Sequence, residues 1–212
     1  MTPLAASVED LIFDAANALR IPVLVLALAA LVVVVVELGA MVMEVARRRR
    51  HDHRALERAA GEASATIRKG DSDGAARALR EVASSSAMQA SLDRLVASFA
   101  SPAAATLVPK VLADFDLLSL RRLERTRLLV RVGPALGLMG TLIPLSPALA
   151  GLANGNVQEL TKNLRVAFSV TVLGLLVGAV AFGISLIRDR LYAQDLSDLE
   201  FLAATIEQTG GE

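Results

Sequence analysis

The chain has no cysteine and no tryptophan, one tyrosine and two histidines, and its charges cancel at 22 Lys and Arg against 22 Asp and Glu. Each absence removes a class of function. Without cysteine no disulfide, thiolate metal site or thiol nucleophile can form. A net charge of zero gives no overall basic surface for nucleic acid. No nucleophile, base and orienting group fall together, and neither a metal-ligand spacing nor a phosphate loop nor a dinucleotide motif occurs. The chain therefore does not read as an enzyme and implies no cofactor. His51 and His53 sit in a run of arginines and read as solvated side chains rather than metal ligands. Asp71, Ser72 and Asp73 begin like a calcium loop, but the remaining ligands and the closing glutamate are missing, so they read as a helix-capping turn.

What is abundant is apolar and small. Hydrophobic residues make up 54% of the chain and aromatics only 3%, a composition of Ala, Val and Leu that belongs to membrane helices rather than to a mixed soluble core. Ile21 to Met43 is apolar apart from Glu37, and Val132 to Ala153 and Val166 to Ile187 carry no charge at all. At ~1.5 Å per residue each run crosses a hydrocarbon layer of ~30 Å. The fold class is an all-α integral membrane protein with three transmembrane helices. The expected divisions are an N-terminal segment 1–20, spans at 21–45, 132–153 and 165–187, a helical domain at 46–131, a short loop at 154–164 and a C-terminal helix at 188–212.

Arginines cluster after the first span (Arg47 to Arg50, Arg54, Arg58), before the second (Arg121, Arg122, Arg125, Arg127, Arg131) and after the third (Arg188, Arg190). The opposite ends carry only Arg20, Lys162 and Arg165. By the positive-inside rule the 46–131 segment and the C-terminus are cytoplasmic and the N-terminus is outside. Ser7 to Arg20 spaces Val8, Leu11, Ile12, Ala15 and Leu19 helically, as an amphipathic helix on the membrane surface or a plain leader into the first span. Within 46–131 breaks at Gly70 to Gly74, Ser84 to Ser86 and Ser101 to Pro109 predict three or four helices. Beyond the third span, Leu196, Leu199 and Leu202 form an apolar stripe with Asp195, Asp198 and Glu200 between them. That stripe needs a partner, either the helix running from about Val111 or a neighbouring subunit.

The second span places Gly133, Gly137 and Gly140 on one face beside Thr141, and the third aligns Thr171, Gly174, Gly178 and Ser185. Small residues let helix backbones approach closely in lipid. Pro144 and Pro147 should bend the second span, with Ser146 serving a freed carbonyl. Two readings of these faces stay open: a polar pathway, or threonines that bond their own backbone and glycines that only pack. Glu37 is the one ionisable residue well inside a span, and such carboxylates face protein or water. Its role is structural or on an ion route.

Leu123 to Leu145, LERTRLLVRVGPALGLMGTLIPL, together with Ala167 to Leu175, AFSVTVLGL, resembles the signature of the MotA/TolQ/ExbB proton channel family. Pro134, Gly137, Gly140 and Thr141 fall on the family's "P-x-L-G-L-x-G-T" span, and Ala167, Thr171, Gly174 and Leu175 on its "A-L-x-x-T-x-x-G-L" core. The three-span order is similar to the TolQ and ExbB branch. Two positions depart from the pattern: Pro144 stands where a glycine is usual, and Val166 where ExbB-like members often carry an acid. The resemblance implies an inner-membrane ring, a homopentamer, around a small single-span partner of the ExbD, TolR or MotB kind. That partner would bring the acidic residue, threonines at 141 and 171 would line the ion pathway, and ion flow would drive movement, as in protein transport. A passive scaffold or receptor is the competing function.

The charge asymmetry generates a test of topology. In intact cells an impermeant thiol reagent should label a cysteine introduced near Gly155 and spare one near Ser64. The reverse pattern would invert the orientation.

Overall fold

A computed structural model describes residues 3–48 and 53–210. Arg49, Arg50, His51 and Gly211, on which parts of the sequence reading rest, lie outside them. Every regular element among the described residues is an α-helix: α1 (Pro3–Ala18), α2 (Arg20–Arg47), α3 (His53–Arg68), α4 (Ser72–Arg80), α5 (Ser86–Phe99), α6 (Ala104–Ala153) and α7 (Val157–Gly210). Three of the helical stretches, Leu11–Ala46, Ala104–Ala153 and Val157–Gln208, are long and apolar enough to cross a membrane. With 50 and 54 residues, α6 and α7 extend ~75 and ~81 Å, more than twice a hydrocarbon core of ~30 Å.

Local chemistry sets the boundaries. Pro22 has no N–H to donate to the Ala18 carbonyl, and the helix breaks there at Leu19 between α1 and α2. Asp71 caps α4 by accepting the Gly74 N–H at 2.8 Å, so the acidic turn serves a helix end. Ser85 caps α5 through the Met88 N–H at 3.2 Å. The break expected to run through Pro109 instead closes at Ala104, and Pro109 sits in the second turn of α6. The carbonyl that loses its bond belongs to Ala105, which is exposed, so water can satisfy it.

The chain divides into two compact units, Met1–Gly39 with Arg125–Ser185, and Ala40–Glu124 with Leu186–Glu212. In the first, α2 buries Val23, Ala27, Ala30 and Val34 along one stripe and leaves Val25, Leu28, Val32 and Val36 exposed. That division suits a helix with protein on one side and lipid on the other. Helix α6 continues through Pro144, which is fully buried, and Pro147 to Ala153. Ser146 is exposed. The link to α7 is only Asn154, Gly155 and Asn156. Gly155 has φ 73°, a left-handed conformation that favours glycine. The Asn156 side chain accepts the Glu159 N–H at 3.1 Å and so caps α7. Arg20 at the start of α2 donates to Asn163 of α7 at 2.8 Å, and Asn163 is buried.

The second unit has its own apolar core. Leu56, Ala60 and Ala63 of α3, Leu79 of α4, Met88, Leu92 and Leu95 of α5, Val108 and Phe115 of α6, and Leu199, Leu202 and Ile206 of α7 meet in one cluster. The stripe at Leu196, Leu199 and Leu202 thus finds its partners within the chain, Val111 and Leu112 of α6 among them. Beside this core lies a polar cluster. Asp195, only 1% exposed, takes a two-pronged bond from the Arg48 guanidinium at 2.7 and 3.0 Å. It also accepts the hydroxyls of Ser84 and Ser85. The sequence set Asp195 and Asp198 apart from the buried stripe, yet both are buried. Four donors surround Asp195, which is why a carboxylate is tolerated at that depth.

Removing Asp195 while Arg48 stays buried leaves a charge without compensation. Asp195→Ala should lower stability by about 3–5 kcal/mol, read as a fall in the melting temperature of the detergent-solubilised protein. An unchanged melt would mean that Arg48 finds water instead.

Candidate functional site

The candidate site is the face where α6 and α7 meet within the first unit. Its geometry follows from missing side chains. A methyl group added at Gly174 would lie 2.5 Å from the Gly133 carbonyl oxygen and 2.7 Å from the Gly137 Cα. One added at Gly133 would meet the Gly174 oxygen at 2.9 Å and a Val177 methyl at the same distance. At Gly137 the neighbours are the Thr171 Cα at 3.3 Å and the Gly174 Cα at 3.4 Å. The two backbones are therefore in direct contact, an approach that no residue with a Cβ allows at Gly174 without a shift. Gly178 receives the ring of Pro134, whose Cγ and Cδ lie 2.8 and 2.9 Å from the position of an added methyl. Gly140 receives the side chain of Val170. Pro134, Gly137, Gly140, Gly174 and Gly178 all lie in this one contact.

Thr141 and Thr171 are both half-buried at its edge. The Thr171 hydroxyl reaches across to the Gly137 carbonyl at 3.2 Å and along its own helix to the Ala167 carbonyl at 3.2 Å. Thr141 donates to the Leu138 carbonyl at 2.7 Å, with the Gly137 carbonyl at 3.5 Å. Both hydroxyls therefore approach the same carbonyl group from different helices. A hydroxyl has one proton to give, and here it has backbone acceptors for it. The oxygen lone pairs remain. This geometry suits accepting from a water, a cation or a proton donor more than donating.

The other candidates lie apart from that contact. Glu37 is half-buried on α2. Ser185 is buried at the far end of the α7 face. His53 is the first residue of α3, and among the described residues no three acidic or histidine groups gather as for a metal. The sequence did not point to Asn163, whose buried amide accepts from Arg20. A lone Asn at the edge of a loop offers no signal of burial.

A family model described as the MotA/TolQ/ExbB proton channel family matches residues 46–200. The chain belongs to that family. The match takes in both glycine faces and both threonines, and it begins beyond the first apolar run. Membership and the three apolar helices together make the chain a multi-pass membrane protein of a channel family. Comparison with curated proteins gives no match.

The helix contact makes a graded prediction. Gly174→Ala should cost about 1–3 kcal/mol through overpacking. Gly183→Ala, at a position with nothing within 4 Å, should be neutral or slightly stabilising. Thermal melts of the two variants in the same detergent check this, and equal melts would contradict the close contact.

Proposed function

We propose that this chain is the ion-conducting subunit of an energy-transducing complex of the inner membrane. It belongs to the three-span TolQ and ExbB branch, with its N-terminus outside and residues 46–131 and its C-terminus in the cytoplasm. Five copies form a ring around a small single-span partner, and an acidic residue on the partner carries a proton past the α6 and α7 face. Ion flow then moves the partner relative to the ring. Family membership supports the channel, and the charge asymmetry of the flanks supports the orientation.

The observation that carries the reading is the convergence of Thr141 and Thr171 on the Gly137 carbonyl at 3.5 and 3.2 Å. It leaves two oxygens with free lone pairs on a surface where the rest is glycine and aliphatic. Hydroxyls cost far less to bury than charges, so they can pass a proton along without trapping it. A passive scaffold is the competing reading, favoured by the backbone acceptors that both hydroxyls already have.

Replacing threonine by valine keeps the branched shape and deletes the hydroxyl. With the partner co-expressed in proteoliposomes, Thr141→Val and Thr171→Val should each lower proton flux roughly two- to tenfold. That range is the consequence of losing about 0.5–1.5 kcal/mol of hydrogen bonding on the route. Assembly should be retained, with Thr171→Val melting slightly lower because it loses the bond to the Gly137 carbonyl. Full flux and full biological activity in both assembled variants would favour the scaffold.

A further inference from the structure

The second unit contains a cavity that the channel reading does not use. It measures about 390 Å³ and is lined by Ala40, Met43, Glu44, Arg48, Arg122 and the serines at 84–86. That volume is within the roughly 300–1,000 Å³ of sites that hold small molecules. Its two halves differ in chemistry. Ala40 and Met43 are exposed apolar residues in the last turns of the run that crosses the membrane. Glu44 lies one turn beyond Ala40 on α2, and Arg48 follows just past the end of that helix, where an apolar run of membrane-crossing length gives way to charge.

The polar half carries both signs of charge, and neither is saturated. Arg48 gives its two terminal nitrogens to Asp195. Its side chain is 10% exposed, yet its buried Nε has no acceptor among the described residues. Arg122 is exposed, and its guanidinium lies beside the Tyr192 hydroxyl. Burial, and then the Glu44 carboxylate, push the Tyr192 phenol above its ordinary value, while Arg188 and Arg122 pull it back. Ser85 caps α5 and Ser86 opens it, so the start of that helix, the positive end of its dipole, borders the same cavity. Glu44 is held only loosely, at 3.4 Å from Arg48, 3.5 Å from Arg188 and 3.5 Å from the Tyr192 hydroxyl. Charge-assisted contacts of saturated carboxylates are about 2.7–2.9 Å long.

We propose that this cavity binds the headgroup of a glycerophospholipid carrying a primary ammonium, of the phosphoethanolamine class. The phosphate sits against the exposed Arg122 guanidinium and the start of α5. The ammonium donates to Glu44, and the acyl chains leave over Ala40 and Met43. A purely anionic headgroup would leave Glu44 facing a like charge, and a trimethylammonium has no N–H to give it. The inference needs α2 to cross the membrane and is independent of ion conduction.

Native mass spectrometry of the full chain in detergent, titrated with phosphatidylethanolamine, phosphatidylcholine and phosphatidylglycerol of identical acyl chains, tests it. The expected result is retention of phosphatidylethanolamine at least tenfold tighter than phosphatidylcholine. Glu44→Gln should abolish that preference and leave phosphatidylglycerol as tight or tighter. Arg122→Gln should weaken all three lipids. Glycerophosphoethanolamine, the headgroup without chains, should compete only at much higher concentration; equal competition would assign the site to a soluble phosphate ester and overturn the lipid. Equal binding of phosphatidylethanolamine and phosphatidylcholine by the unmutated protein would also overturn the proposal, and that ratio decides the matter should either variant fail to fold.

Discussion

Everything in the first unit depends on how closely two backbones can approach in a medium that gives no hydrophobic reward for helix association. Lipid tails are as apolar as leucine, so α6 and α7 gain little by hiding side chains from them. What remains is dispersion and polar contact at short range, and both rise steeply as the helix axes close. Gly133, Gly137 and Gly174 allow that closeness, with backbone atoms of one helix lying where side chains of the other would be. The cross-helix bond from Thr171 to the Gly137 carbonyl follows from it, because a β-branched residue reaches a neighbouring carbonyl only when nothing intervenes. The polar character of this face is thus a by-product of its tightness, and a channel function would use a surface that packing already required.

The second unit rests on another kind of constraint. Its core is built in the usual way of water-soluble helices, from Leu79, Met88, Leu92, Leu95, Leu199 and Leu202, and tolerates variation in proportion to volume. The Arg48 and Asp195 pair beside it does not. An ion pair held by two hydroxyls and a fork of guanidinium nitrogens adds little net stability compared with well-packed apolar groups, but it penalises every arrangement that separates its members. It ties the residue just past the end of α2 to one turn of α7, a register that leucines alone would leave loosely specified.

Much of this was legible in the residue order. A charge-free run of 22 residues has one physical solution in a membrane, so the spans follow from length alone. Glycines at intervals of three and four announce a contact face, and the Asp71 turn announces a cap. What was hidden depends on distant partners. Asp195 reads as the polar side of an amphipathic stripe until Arg48, 147 positions earlier, is placed against it. The Thr171 bond to a carbonyl 34 residues away is equally invisible, since a threonine in a helix is expected to bond four residues back, and Thr171 does that as well. Pro109 misled because a proline near a helix start is tolerated, its freed carbonyl on the exposed Ala105 being open to water.

The exposed side of α2 carries Val25, Val32, Val33, Val35 and Val36. A valine in a helix already occupies one rotamer about 90% of the time, so such a face has almost no side-chain motion left to lose when something settles against it. Leucine or methionine in the same places would surrender conformational entropy on every contact. The valine face is in effect frozen before any encounter. Neighbouring helices or ordered lipid therefore settle against those valines at a lower entropic cost than they would against longer, freer side chains, and adhere the better for it.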